Sequence, residues 1–292
     1  MTSENALVEL NDGYRIPQLG FGVFMIGEDA TREMVSSALS AGYRHVDTAA
    51  AYANEAQVGQ AVRASGENIY VTTKYFNPND DHGRADARAA FSASSERLGL
   101  DRIDLYLIHW PVRAGEGFVE SWRALTELSD SDGRRSIGVS NFSATQLGRA
   151  IDATGVVPAV NQVELHPYFQ QAELRRVHDE LGIATEAWGP FGQGTRHAQK
   201  VLDDPVLAEI ARAHDKSVGQ IVIRWHLQLG TIVIPKSSNP IRMRQNRDVF
   251  DFALSEEEMA TIEGLDRGGR NGPDPDIFDF PASYRGQAHE RK

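Results

Sequence analysis

A chain of 292 residues with 41% apolar side chains can bury the core of one large domain. The net charge of −11, with no basic stripe, excludes a nucleic-acid footprint, and the lack of cysteine removes disulfides, thiolate nucleophiles and cysteine-ligated metals together. No apolar run approaches the ~20 residues of a spanning helix, and the N-terminal Met1-Thr2-Ser3-Glu4-Asn5 carries an acid and no apolar leader, so a cytoplasmic protein is expected.

The chain opens with two short apolar segments, 7–10 and 16–19, around Asn11-Asp12-Gly13, which predicts a hairpin. Candidate strands follow at 20–24, 43–47, 69–74, 103–109, 136–140, 159–164, 183–188 and 232–235. Helical patterns lie between them. Over 84–98, Ala87, Phe91, Ser94 and Leu98 recur at helical steps before Gly99, and over 217–229 Val218, Ile221, Val222, Trp225 and Leu229 share a face. Asn54, with Gln57 three residues on, predicts a helix start capped by the Asn side chain. Eight strands alternating with helices over roughly 250 residues predict a (β/α)₈ TIM barrel, with the whole chain, 1–292, as one domain. The competing architecture is a doubly wound open sheet. That fold usually carries G-x-G-x-x-G after its first strand, a pattern that Gly20-Phe21-Gly22-Val23-Phe24-Met25 fails at its sixth position. Residues from Arg267 onward, rich in Gly, Pro and charge, read as an irregular excursion, and Phe278 and Phe280 suggest that it folds over the barrel mouth.

The strand ends carry the chemistry. The second barrel strand ends in Asp47, with Tyr52 on the loop that follows, and the third ends in Lys74. The fourth ends in His109, the fifth in Ser140-Asn141, the sixth carries Gln162, and the seventh ends in Trp188. Each has an ordinary structural explanation, such as a snorkelling lysine or a core tryptophan. Their shared position, at the end of a barrel where active sites are built, ties them together.

These residues bring the chain close to a known family. Asp47-Thr48-Ala49 with Tyr52, Thr73-Lys74, Leu107-Ile108-His109-Trp110-Pro111, Ile137 to Phe142, Asn161 to Pro167, Ala187 to Pro190 and Ile234 to Ser237 resemble the aldo-keto reductases, and among them the bacterial 2,5-diketo-D-gluconate reductases. The resemblance implies NADPH-dependent reduction of aldehydes and ketones, sugar-derived diketones included, by a monomer. It makes Tyr52 the proton donor, Asp47 and Lys74 its tuning pair, and His109 the group that orients the carbonyl. The physical logic agrees, because a tyrosine of pKa about 10 needs a neighbouring ammonium to donate readily near neutrality. For the cofactor it implies Gly22 and Val23, then Ser140, Asn141 and Gln162 on the carboxamide and Trp188 on the nicotinamide. Gly189, Pro190, Phe191, Gly192, Gln193 and Gly194 would lie along the pyrophosphate. Lys236, Ser237, Ser238 and Arg242 would hold the 2′-phosphate, with Gln245 and Asn246 near the adenine. Phe24, Phe76 and Trp110 would wall the substrate pocket. Phe24 stands where many relatives have tryptophan, and Asn239 where the diketogluconate reductases have arginine.

Two other readings remain open on the residues alone. Lys74 could form a Schiff base with a carbonyl substrate, as in barrel lyases, which would leave Asp47 and Tyr52 without a role. The barrel could also bind NADPH as a non-catalytic regulatory subunit.

Overall fold

The computed structural model describes residues 6–75, 83–111, 117–132, 136–192 and 200–277. Strands β1 (Leu7–Glu9) and β2 (Arg15–Pro17) form the antiparallel hairpin. The remaining strands are β3 (Phe21–Gly22), β4 (His45–Asp47), β5 (Tyr70–Tyr75), β6 (Leu105–Ile108), β7 (Ser136–Ser140), β8 (Val160–Glu164), β9 (Ala184–Trp188) and β10 (Ile232–Ile234), all parallel and paired in chain order. Hydrogen bonds from Val233 N to Gln18 O (2.8 Å), Gly20 N to Val233 O (2.9 Å) and Gly22 N to Pro235 O (3.1 Å) join the last strand to the first. The sheet therefore closes into a barrel, and the open doubly wound alternative is removed. Six of the eight barrel strands are shorter than the runs that predicted them, because those runs extend beyond the ladder bonds, while β7 matches its run and β5 is displaced by one residue.

Helices α1 (Glu28–Ser40), α2 (Glu55–Ser65), α3 (Gly83–Leu98), α4 (Gly117–Asp132), α5 (Ala144–Thr154) and α6 (Ala172–Leu181) each follow one barrel strand. Two more, α7 (Pro205–Ala213) and α8 (Val218–Gln228), lie between β9 and β10, and α9 (Pro240–Arg247) and α10 (Glu256–Glu263) come after. The start of α8 is set by a capping box in which Ser217 N donates to Gln220 Oε1 (3.0 Å) and Gln220 N to Ser217 Oγ (3.4 Å). Its inner face, with Ile221, Val222 and Trp225 buried, is the one the periodicity predicts.

The core has two parts. The larger lies between strands and helices, and the smaller, Leu10, Ile16, Leu105, Leu107, Ala159, Val160 and Ile232, seats the hairpin against inward-facing strand residues. The hairpin thus plugs one end of the barrel. Side chains alternate along a strand, so His45 and Asp47 of β4 share a face, as do Thr72 and Lys74 of β5, Gln162 and Glu164 of β8, and Glu186 and Trp188 of β9. These form polar layers above the apolar plug.

Candidate active site

β4 delivers Asp47, and one turn of 3₁₀ helix over Ala50–Tyr52 presents Tyr52 beyond it. Asn54 stands at the N-cap position of α2, but its side chain makes no cap. Instead Thr48 Oγ1 donates to Asn54 Oδ1 (2.8 Å), and Asn54 Nδ2 donates to Val23 O (3.2 Å) and Ile26 O (3.3 Å). Gln57 likewise turns away and donates to Glu28 Oε1 at 2.7 Å. The expected cap is corrected: Asn54 ties together the loops after β3 and β4, where a buried amide can satisfy three groups at once.

Lys74 is fully buried. Its Nζ donates to Asp47 Oδ1 at 2.6 Å and to Thr48 O at 2.9 Å, and lies 5.2 Å from the centre of the Tyr52 ring. Burial alone would lower its pKa. The Asp47 carboxylate, helped by Tyr52 and Glu186, more than offsets this and leaves Lys74 above the ordinary lysine value. The Tyr52 ring has His109 edge-on at 5.6 Å and Phe24 at 5.0 Å. Burial, and then the Lys74 charge, holds His109 well below the usual histidine pKa, so its imidazole is neutral at pH 7. The structure thus brings Asp47, Tyr52, Lys74 and His109 together around one phenol.

The ends of β7, β8 and β9 form the adjoining wall. Ser140 Oγ donates to Gln162 O (2.8 Å). Asn141, in the left-handed region at φ 63°, donates through Nδ2 to His109 O and Ser140 Oγ, both at 3.0 Å, and accepts at Oδ1 from Trp188 Nε1 (2.8 Å). These bonds fix the Trp188 indole. Gln162 Nε2 donates to Asp47 Oδ2 and to Glu186 Oε2, both at 2.9 Å. With both N–H groups engaged, the Gln162 amide offers an outside group an acceptor only.

After Trp188, Gly189-Pro190-Phe191-Gly192 makes a tight turn closed by Gly192 N to Gly189 O (2.9 Å), with φ of 62° at both glycines. A β-carbon on Gly219 would lie 3.7 Å from the Phe191 ring and 3.6 Å from Asn246 Oδ1, so this turn sits beside α8 and α9. Past β10, Lys236 is half-buried, Ser237 is buried, and Ser238, Arg242 and Gln245 are exposed. Asn239 caps α9, its Oδ1 accepting from Ile241 N (2.8 Å) and Arg242 N (3.2 Å). Gly22 comes close to this end through its bond to Pro235, and Val23 is buried beneath the loop that follows β4, donating to Asp47 O at 3.1 Å. Trp110 is half-buried at the end of β6. Phe76, Gln193, Gly194, Phe278 and Phe280 lie outside the described residues.

Residues without a role in the sequence reading complete the site. Glu164 Oε1 accepts from Asn271 N (2.7 Å) and His166 Nε2 (3.1 Å), while Oε2 accepts from Gly272 N (2.8 Å). One buried carboxylate therefore pins residues 271–272 across the barrel mouth, so close that a β-carbon on Gly272 would fall 2.6 Å from Trp188 Cη2. His45, Thr72 and Glu186 form a polar layer beneath Asp47 and Lys74. Among the described residues, no group of three or more His, Asp or Glu side chains could hold a metal ion, and no helix is long and apolar enough to cross a membrane.

Residues 18–267 match the family model described as aldo/keto reductase family. This chain belongs to the aldo-keto reductases. An aldo-keto reductase from Mycobacterium sp. (strain KMS) is 52% identical over 277 residues, covering 94% of this chain and 98% of that one. The morphine 6-dehydrogenase of Pseudomonas putida is 47% identical over 286 residues, 94% of this chain and 96% of its own. The solved structure of a Bombyx mori aldo-keto reductase in complex with NADP superposes with a TM-score of 0.85 at 38% identity, covering 96% of this reductase and 99% of that chain.

Proposed function

We propose that this reductase uses NADPH to reduce aldehydes and ketones, sugar-derived diketones among them, with Tyr52 as the proton donor. The observation that carries this reading is the buried Lys74 ammonium, paired to Asp47 at 2.6 Å and lying 5.2 Å from the Tyr52 ring. A fixed cation there stabilises the phenolate left when Tyr52 gives up its proton. His109, neutral beside the phenol, is suited to donate a hydrogen bond to the substrate oxygen and so to orient it.

The residues present fit the cofactor. The acceptor left on Gln162 suits the N–H groups of a carboxamide, and Trp188, held by Asn141, offers a flat face for an aromatic ring. The glycine turn at 189–192 allows close backbone approach, and Lys236 and Arg242 supply cations for a 2′-phosphate. When bound, NADPH supplies the hydride, which no side chain can provide. The NADP carried by the Bombyx mori relative supports this assignment. The Schiff-base reading for Lys74 is disfavoured, because an amine held charged by a carboxylate is a poor nucleophile.

Tyr52→Phe tests the proposal. It keeps the ring and removes the acid, so NADPH affinity should stay within about twofold of wild type while turnover falls by about 10²–10⁴-fold. Fluorescence titration with NADPH and steady-state reduction of a small aldehyde check both halves, and a variant retaining more than about a tenth of wild-type kcat would defeat it.

A further inference from the structure

Beneath the Asp47–Lys74 pair lies a second carboxyl, Glu186, which the mechanism above does not use. It is fully buried on β9. Gln162 Nε2 links it to Asp47, donating to Glu186 Oε2 and Asp47 Oδ2 at 2.9 Å each. Its other oxygen, Oε1, has no hydrogen-bond partner among the described residues and lies 3.8 Å from His45 Nε2. His45 is also buried, bonded through Nε2 to Thr72 Oγ1 at 2.9 Å, and Gly20 makes room for its ring, since a β-carbon there would fall 2.6 Å from Nδ1.

Charge counting decides the state of this layer. The titratable groups facing Glu186 are His45 and Asp47 from β4 and Tyr70 and Lys74 from β5, while β8 and β10 bring the uncharged Gln162 and Ile232. Among these, Lys74 is the one cation at neutral pH, and it is already paired with Asp47. Two carboxylates and one ammonium in a dry interior leave an uncompensated charge, which is relieved by protonating one carboxyl. Asp47 has the direct contact with the ammonium, so the proton belongs on Glu186. His45 does not take it instead: burial, and the nearby Lys74, hold its pKa down at about 3. Burial, then the charge on Asp47, pushes Glu186 up to about 8.

We infer that Glu186 is a positioning residue: as the neutral acid it fixes the Gln162 amide against Asp47, and its ionisation weakens Tyr52 as a proton donor through the Asp47–Lys74 pair. The direction follows from sign. A new negative charge behind Asp47 stabilises the Lys74 ammonium but opposes the phenolate that Tyr52 must become. The inference rests on the proton-donor role proposed for Tyr52.

The test is the pH dependence of kcat/KM for aldehyde reduction in wild type, Glu186→Gln and Glu186→Leu, each normalised to its own value at about pH 6, where Glu186 is protonated. Wild type should fall by about fivefold through a midpoint near 8, the scale expected for one buried like charge acting on a proton transfer. Both variants, neutral at every pH, should lack that limb. Infrared titration gives a readout independent of turnover: wild type should show a protonated-carboxyl C=O band that disappears near the same pH, absent from both variants. Superimposable rate profiles, or no such band in wild type at neutral pH, would overturn the inference. An active Tyr52→Phe would instead sink the proton-donor reading, while the infrared titration still reports the state of Glu186.

Discussion

Lys74 and Asp47 show how far one residue pair governs this site. The ammonium has no exposure, and its carboxylate partner is nearly as deep. Truncating one member of such a pair leaves the other charge buried, at a cost of about 3–5 kcal/mol, whereas replacing both removes the problem. Lys74→Met should therefore lower unfolding free energy by roughly that amount and turnover by at least about a hundredfold. Adding Asp47→Asn should recover at least about half of the lost stability while leaving turnover low, because the phenol still lacks its cation. Denaturant unfolding of the three variants separates the two effects; recovery of turnover in the double variant would show that Lys74 acts only in folding. Asp47, Lys74 and His109, which surround the phenol, were legible in the sequence because a polar side chain ending an apolar strand is conspicuous, and Tyr52 follows Asp47 on its loop. Glu186 and His45 were not. Each sits mid-pattern in its own strand, and only closure of the barrel brings β4 and β9 to face each other.

At the scale of elements, strand order followed from the apolar runs, and periodicity marked the helices over 84–98 and 217–229, while the connections held what periodicity cannot encode. Asn54 has the residue type and spacing of a helix cap, yet its side chain bonds Thr48 in its own loop and reaches across to the loop after β3. Residues 267–277 read as irregular, and nothing local reveals that Glu164, over a hundred residues earlier, accepts two of their backbone N–H groups. This strap is further fixed by Arg267 over the Tyr168 ring (3.5 Å) and Arg270 over the Phe169 ring (4.5 Å). At Gly272 an added β-carbon would also fall 2.9 Å from Glu164 Oε2. Gly272→Ala must therefore lift the strap or push the indole. The expected result is a stability loss of about 1–3 kcal/mol, a several-fold rise in KM for bulky carbonyl substrates, and a shifted tryptophan emission. Unchanged emission and KM together would mean that the strap does not control the Trp188 wall.

For the whole molecule, the buried titratable groups set a stability profile with an optimum. His178 shows why histidine matters: Asn161 Nδ2 donates to its Nε2 at 2.9 Å and its Nδ1 bonds Thr185 Oγ1 at 2.8 Å, an arrangement that requires the neutral ring. Burial, then the charge of Arg175, lowers His178 to about 4, burial and Lys74 lower His45 to about 3, and burial chiefly holds His226 well below its usual value. In the unfolded chain these rings take up protons near pH 6.5, so on acidification the unfolded state binds more protons and stability falls between about 6.5 and 4. Glu186 has the opposite sign. Its folded pKa of about 8 lies above the unfolded value, so its contribution is complete at low pH and is lost as pH rises toward 8. Between about pH 4.5 and 6.5 it offsets one histidine, leaving the others in excess, and above 6.5 it acts against the fold with no histidine titrating. Melting temperature should accordingly peak near pH 6.5 and decline on both sides, each group contributing at most about 1.4 kcal/mol per pH unit. Thermal melts across pH 4–9 would assign the two limbs: His178→Gln should make the acid limb shallower, and Glu186→Gln should flatten the slope from 6.5 to 8. A melting temperature that climbs steadily to pH 8 would contradict the neutral state of Glu186.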